Sequence, residues 1–471
     1  MSAPARGPVA PPVRERDELA RAMDRAAGAL PLAGNRLEHH ADSPRALEAM
    51  LAVVAAAARW IHFENYIIRD DATGRRFADA LAERAARGVR VRVLYDGLGC
   101  IGTSRRFWRR LARAGVDARA FHPLRPWHPF EVFSRDHRKL VVADGERAML
   151  GGLCIGDEWA GDPARGRLPW RDTMLAVTGP AAGALDRAFG RIWSRAGAPL
   201  PAEELDGRPH TSGPSTLRVV AGTPGRARVY RAVQLLAAGA ARRLWITDAY
   251  LVPPAPLYAS LLDAARGGVD VRVLVPGTSD LPVVRNFTRV GYRELLQAGV
   301  RIFEYQGPMI HAKTLVADAR WARVGSSNLN VSSLLTNYEL DVVAECDELA
   351  RALGEQFLRD LAVSREIVLL PRPRRLPSRV VGAPGPAGAK HKRSGYELGA
   401  VAVVALRRVA GGLRRAIAWT AAAAAAGLGA LLLAFPRVMS LVLAAGAFWL
   451  ALALGLYAVE RRRTRADDDG L

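Results

Sequence analysis

Apolar and polar positions along this chain switch repeatedly between a helical and a strand period. Ser43 to about Ala57 is apolar at helical spacing, and Ser43-Pro44 is a good N-cap and first-turn pair. Ile61 to Ile68 is apolar and β-prone. Arg75 to Arg87 returns to the helical period and meets Gly88, a natural left-handed stop. Val89 to Tyr95 reads as a buried strand, and Phe107 to Ala114 as a second helix closed by glycine. This βαβα order predicts a largely parallel sheet with helices on both faces.

The pattern then repeats. Ala58-Arg-Trp-Ile-His-Phe-Glu-Asn-Tyr66 matches Ala241-Arg-Arg-Leu-Trp-Ile-Thr-Asp-Ala-Tyr250, and Arg87-Gly-Val-Arg-Val-Arg-Val-Leu94 matches Arg266-Gly-Gly-Val-Asp-Val-Arg-Val-Leu274. So long a period indicates a duplicated domain rather than a solenoid. The expected organisation is a disordered segment at 1–15, a first domain at 16–205 and a second at 206–370. A basic Pro/Gly linker at 371–395 and a membrane region at 396–471 follow. Within the latter, two apolar runs at about 416–435 and 438–459 are each long enough to span a bilayer. Pro436-Arg437 separates them, and arginines flank both outer ends, Arg407, Arg408, Arg414 and Arg415 before, Arg461 to Arg463 and Arg465 after. The positive-inside rule then places both ends, and the residues before them, in the cytoplasm.

Charge adds a partner class. The formal net charge is +21, which favours anionic partners, nucleic acid or anionic lipid. Three scattered cysteines, Cys100, Cys154 and Cys346, give neither a disulfide framework nor zinc spacing and fit a reducing compartment. The N-terminus lacks an apolar signal core, so no cleaved secretory signal is expected.

The chemistry is concentrated in one doubled motif. His137-Arg-Lys139 is followed after four residues by Asp144, and His311-Ala-Lys313 after four by Asp318. Six residues further on stand Gly151-Gly152 and Gly325-Ser326. The two copies begin 174 residues apart with identical internal spacing. Two histidines and two lysines suit nucleophilic attack on a phosphodiester with charge stabilisation at phosphorus. His and Lys two apart on a strand share one face, whereas Asp144 and Asp318 sit near a turn and are expected to buttress rather than touch substrate. The lysines stand out by rarity, because 63 of the 67 basic residues are arginine and the only other lysines are Lys390 and Lys392. A compact ammonium fits a tight phosphate pocket where a guanidinium fork does not.

At these residues the chain resembles the phospholipase D superfamily, defined by paired H-x-K-x4-D motifs, and within it the bacterial cardiolipin synthases. Gly88-Val-Arg-Val-Arg-Val-Leu-Tyr-Asp-Gly97, Gly151-Gly-Leu-Cys-Ile-Gly-Asp-Glu158, Trp170-Arg-Asp-Thr173 and Gly325-Ser-Ser-Asn-Leu-Asn330 carry the likeness. The resemblance implies an α/β fold of two tandem αβα sandwich domains related by a pseudo-twofold axis, here with a C-terminal helical transmembrane hairpin. It implies a phosphatidyltransferase working through a phosphohistidine, with His137 as nucleophile and His311 as general acid and base; the residues alone leave those roles interchangeable. Lys139, Lys313 and Asn328 would hold phosphoryl oxygens, with Ser326 and Gly152 supporting, and Asp172 and Glu339 would orient the histidines. No metal or cofactor is required, since the lysines supply the positive charge. Cys154 departs from the small polar residue usual at its position. The partners expected are anionic phospholipids and the bilayer of a bacterial inner membrane, not nucleic acid. A phospholipase D using water, and less favourably a nuclease of the superfamily, are the alternative activities.

Overall fold

Three residues between two apolar runs, Asp144-Gly145-Glu146, decide much of the sheet. The computed structural model describes residues 13–125, 129–207 and 210–369. In the first half lie β1 (Leu32–His40), β2 (Trp60–Asn65), β3 (Arg90–Asp96), β4 (Asp117–Phe121), β5 (Lys139–Ala143), β6 (Arg147–Gly151) and β7 (Met174–Thr178). The second half holds β8 (Ser215–Gly222), β9 (Arg243–Thr247), β10 (Asp270–Pro276), β11 (Arg301–Tyr305), β12 (Thr314–Ala317), β13 (Trp321–Gly325) and β14 (Glu339–Glu345), followed by β15 (Ser364–Ile367). These strands form one continuous sheet in the order β15-β11-β10-β9-β12-β13-β14-β8-β1-β7-β6-β5-β2-β3-β4. Apart from β15 the order is the same read from either end, as a pseudo-twofold axis between β8 and β1 requires.

The expectation of a largely parallel sheet holds only for β2-β3-β4 and β9-β10-β11. There the helices Ala72–Ala86, Arg105–Arg113 and Ala255–Arg266 carry the chain back across the sheet. Every other ladder is antiparallel. The physical reason is loop length. The β5–β6 connection is too short for a crossover and leaves a hairpin as the only route.

Helices cover both faces. In β5, Leu140 and Val142 point into a core shared with Leu185 and Phe189 of one half and Val316, Leu340 and Leu353 of the other. Val141 and Ala143 point to the opposite face, against Met50, Val54 and Phe77. The seam between the halves is therefore an apolar core, not a hinge. Helix Val13–Ala27 begins inside the segment expected to be disordered, and its Met23 and Ala27 pack with Val233 and Leu236 of the second half. The linker and both apolar runs expected to form the membrane hairpin lie outside the described residues. Among the described residues no helix is long and apolar enough to cross a membrane.

One local detail differs from the sequence expectation. The cap of helix Ser43–Ala56 is Asp42, whose carboxylate accepts from Arg45 N–H at 2.9 Å. Ser43 is thereby released for another task, described below. Gly88 does follow its helix at φ +85°, where a Cβ would be strained.

Asp144 and Asp318 close the hairpins after β5 and β12 in the left-handed region, at φ 58° and 54°. Asp144 accepts from the backbone N–H of Ala58, Arg59 and Trp60 at 2.7–2.9 Å. Asp318 does the same for Ala241, Arg242 and Arg243. Each fastens the start of one central strand to the end of the next. Replacing Asp144 by Ala strands three donors, so a loss of about 1–3 kcal/mol is expected, read as a lower melting temperature. Turnover of the folded Asp144→Ala protein should stay within a fewfold of wild type, because the carboxylate stands at the strand end remote from His137.

Candidate functional site

Each histidine of the doubled motif is held by a carboxylate from the other half. His137 Nδ1 lies 3.1 Å from both oxygens of Glu339, and His311 Nδ1 lies 2.7 Å from Asp172 Oδ2. Backbone pairing enforces the exchange. His137 N–H donates to Tyr338 O at 2.9 Å, and His311 N–H donates to Arg171 O at 2.7 Å. The partner in each case is the residue just before the carboxylate. Isolated bridges Asp136↔Tyr338 and Arg171↔Ile310 repeat the same crossing on both sides of the axis.

Buried ion pairs lock the segments that make the crossing. Arg135, entering the first motif, is clamped on Asp96 with its closest contact at 2.7 Å. Arg171, entering Asp172, reaches Asp360 of the second half's helix Asp347–Ala362 at 2.8 Å. Ser43 Oγ donates to Trp170 O at 2.6 Å and accepts from Asp172 N–H at 3.0 Å. Helix Ser43–Ala56 thus braces the carboxylate loop through its first residue.

The lysines share the histidines' side of the sheet. Lys139 Nζ donates to His137 O at 2.5 Å and lies 5.0 Å from the Tyr66 ring centre. Lys313 Nζ lies 2.9 Å from both ring nitrogens of His311. With Nδ1–H donating to Asp172, Nε2 of the neutral ring is left unprotonated. Both histidines are almost fully buried, at 9% and 5% exposure. Burial is the main reason that each imidazole is held below its ordinary pKa; nearby lysine charge adds to it, and the carboxylates oppose it. Burial likewise lowers Lys313 to about 8. For Asp172 burial pushes upward but is outweighed by His311 and Lys313, and the carboxyl is held at about 2. Glu339 is lowered in the same way, burial being overcome first by His137. Lys313 also acts on His137, and Lys139 on His311, so the two motifs form one electrostatic unit. Two neutral imidazoles beside ionised carboxylates and ammonium groups make a pocket suited to a phosphodiester anion.

The halves differ in how they support their carboxylates. Ser326 Oγ donates to Glu339 Oε2, and its backbone pairs with Leu340. The equivalent residue beside Asp172 is Gly152, where a Cβ would meet Asp172 Oδ1 at 2.2 Å. The shorter carboxylate occupies the space a side chain would need, and Trp159 Nε1–H donates to it at 3.0 Å instead. Asn328 is buried with no hydrogen-bond partner for Oδ1. Its counterpart Cys154 is buried, and burial raises its thiol pKa, as for an inert apolar filler.

Of the residues singled out in the sequence, His137, Lys139, His311, Lys313, Asp172, Glu339, Ser326 and Gly152 converge, and the buried Asn328 lies two residues beyond Ser326. Asp144 and Asp318 stand apart at the far strand ends. Several neighbours were not read as site residues. Tyr66 packs edge-on against His137 at 4.9 Å between ring centres, and Tyr250 against His311 at 5.9 Å. Both end the matched repeat segments, which was their only signal. Trp159 and Trp170 lie 5.6 and 6.0 Å from His311. Behind His137, the fully buried Glu64 and Asp136 are both raised, by burial first and then by the charge of Asp136 on Glu64 and of Asp96 on Asp136, with Arg138 opposing.

Two outcomes follow from this geometry. Gly152→Ser should displace Asp172 and reduce turnover by about a hundredfold, since misplacing a positioned group by ~1 Å costs that much; Ser326→Gly, which removes a donor without a clash, should cost far less. Comparable losses in the two variants would refute the steric reading. For pH, a neutral imidazole with lowered pKa stays unprotonated below the ordinary histidine value of about 6.5. The acid limb of kcat/KM should therefore fall below pH ~6.5; a limb above it would contradict the burial account.

Comparison with known proteins finds relatives that span both halves. The family described as "Cardiolipin synthase, PLD-like domain" matches residues 50–158 and 234–361, one match in each half. Cardiolipin synthase A of Pseudomonas aeruginosa is 35% identical over 339 residues, covering 71% of this chain and 69% of that protein. A cardiolipin synthase of Staphylococcus aureus is 32% identical over 340 residues, covering 71% and 68%. Among solved structures, phosphatidylserine synthase of Haemophilus influenzae superposes with a TM-score of 0.59 at 14% identity, covering 74% of this chain and 92% of that one. With two matched domains whose motif histidines and carboxylates interlock across one seam, the chain belongs to the cardiolipin synthase family of phospholipase-D-like proteins.

Proposed function

We propose that this protein is a membrane-bound phosphatidyltransferase of cardiolipin synthase type, moving a phosphatidyl group from one phospholipid to a hydroxyl of another. The observation that carries the reading is the crossed pair His137–Glu339 and His311–Asp172, two histidines oriented by ionised carboxylates beside two buried lysines. His137 uses Nδ1 on Glu339 and keeps Nε2 for phosphorus. Attack there breaks the bond to the leaving alcohol and forms a phosphatidyl–histidine. His311 gives that alcohol its proton and later takes one from the acceptor hydroxyl as the P–N bond breaks. Lys139, Lys313 and Asn328 hold the phosphoryl oxygens. His311 must be protonated for the first step, although burial and Lys313 by themselves hold it below its ordinary pKa. The incoming phosphodiester supplies the missing negative charge, so substrate and proton are taken up together.

Lipid extracts of cells expressing the chain, analysed by mass spectrometry, test the reaction: cardiolipin should rise, while accumulation of phosphatidic acid would favour hydrolysis by water. His137→Ala and His311→Ala should each abolish the product with the fold intact. Lys139→Arg and Lys313→Arg should fall about a hundredfold or more with unchanged melting, because a guanidinium cannot replace a point donor in a packed site. Near-normal rates in both lysine variants would show that charge alone suffices.

The membrane anchor is assigned to the two apolar runs at 416–435 and 438–459, with both ends and the catalytic halves on the cytoplasmic side of a bacterial inner membrane, the two halves folding as residues 16–205 and 206–370. Deleting everything after about Arg393 should release a protein that still turns over detergent-dispersed lipid. A truncated chain that resists extraction by carbonate would place the anchor elsewhere.

A further inference from the structure

Helix Pro282–Val290 is built inside out. Its arginines turn back to the body of the protein, the partly exposed Arg289 to the buried Glu304 at 2.8 and 2.9 Å and the half-buried Arg285 to Gly277 O at 3.2 Å. Val283, Phe287 and Val290, which share one stripe at helical spacing, are 66%, 62% and 55% exposed, and the helix has no buried residue. A surface helix in water ordinarily turns its apolar stripe inward. The inversion is no isolated accident of the surface. Ile101, Phe133 and Leu168, at 69%, 67% and 70% exposure, project from three other loops.

These loops converge on one edge of the sheet. Asn65 at the end of β2 pairs with Lys139, and Thr247 at the end of β9 pairs with Thr314, so the histidine motifs sit at the carboxyl ends of β2 and β9. The loop carrying Ile101 and helix Pro282–Val290 follow the adjacent ends of β3 and β10, and occupy equivalent places across the pseudo-twofold axis. Phe133 lies four residues before His137, and Leu168 two before Trp170. Tyr250, packed on His311, donates its hydroxyl to Asp280 at 2.7 Å and so ties the base of the inverted helix to the site. Cations flank the apolar tips. Helix Arg105–Arg113 exposes Arg105, Arg106 and Arg109 and has no acidic residue in its first turn. Arg105 and Arg106 lie in its first turn at the positive end of the helix dipole; Asp70, which accepts from Ser104 Oγ, offsets Arg106 in part, and an anionic surface would favour the exposed cations further.

We propose that helix Pro282–Val290 and the neighbouring apolar tips are a bilayer-docking face, which seats the catalytic mouth in the headgroup–acyl boundary of an anionic membrane independently of the C-terminal runs. The choice of bilayer over protein rests on the phospholipid reading above, on the basic flank, and on tips that stand on separate loops around the mouth instead of lining one groove. The anchor holds the protein near the membrane; this face orients the site toward it and gives a lipid headgroup a path to the histidines without full extraction.

The test uses the full chain in vesicles of phosphatidylglycerol and phosphatidylethanolamine. Phe287→Cys carries a bimane label, with unsubstituted protein correcting for Cys346, which is half-buried, and for the buried Cys100 and Cys154. Leu358→Cys, exposed on helix Asp347–Ala362, serves as the control site. The Phe287 label should shift to the blue and be quenched by bromine on the lipid acyl chains, and the control label should do neither. Water-like, unquenched emission at position 287 overturns the proposal. So does a blue shift that brominated lipid fails to quench, which would mean that a second copy or the chain's own C-terminal part covers the helix. The triple variant Val283→Ser, Phe287→Ser, Val290→Ser should lose about tenfold or more of its turnover on bilayer lipid and keep it on a short-chain phospholipid dissolved as monomer. Equal losses on both would make the stripe structural. Quenching without any lipid turnover would leave the docking face standing and sink the phospholipid reading instead.

Discussion

An imidazole needs a partner on Nδ1 before Nε2 can do directed chemistry, and in this protein neither half can supply that partner for itself. Glu339 serves His137 and Asp172 serves His311. Much of the architecture is arranged around that exchange. The continuous sheet, the apolar seam and the bridges Asp136↔Tyr338 and Arg171↔Ile310 all bring one half's carboxylate segment against the other's histidine. A loose pair of domains would let the carboxylates drift and the tautomers scramble. The apolar core at the seam prevents it, so the stability of the fold and the poise of the site come from the same contacts.

Electrostatics explain why such a site tolerates burial. Two ammonium groups face two carboxylates, and the imidazoles stay neutral, so the site's own groups carry little net charge. A phosphodiester arriving with one negative charge is matched by one proton on a histidine. Charge separation is thus small at each stage, which matters where the dielectric is low. Duplication has not kept the halves identical. The pair Gly152 and Asp172 replaces Ser326 and Glu339, and each pair fits only as a set: a shorter carboxylate needs the missing Cβ, and Trp159 takes over the donor role of Ser326. Cys154 stands where the second half has Asn328, so the first half carries no amide at that place.

The repeat, the alternation of helix and strand and the motif residues were legible because they depend on spacing within the chain. What was illegible depends on connections across it. The antiparallel ladders around β5 and β6 follow from short loops whose geometry the βαβα pattern of residues 43–116 does not contain. Asp144 and Asp318 belong to the motif by spacing, yet their oxygens are spent on backbone donors at the far end of the strand. Ser43 read as a cap and proved to be a brace on Asp172, because Asp42 was there to cap the helix first. Tyr66 and Tyr250 were visible as matched residues but had no assigned role until the histidines were seen beside them. The exchange of carboxylates between halves has no signature in spacing at all.

Mapping the covalent intermediate tests the two-histidine account most directly. Protein mixed with phospholipid, quenched in alkali to spare a P–N bond and digested, should yield a phosphatidyl adduct on the peptide containing His137, absent from Glu339→Ala protein because its imidazole is no longer oriented. An adduct on the His311 peptide would exchange the two roles. No adduct on either histidine, in protein that still turns over lipid, would contradict the mechanism drawn from the crossed pairs.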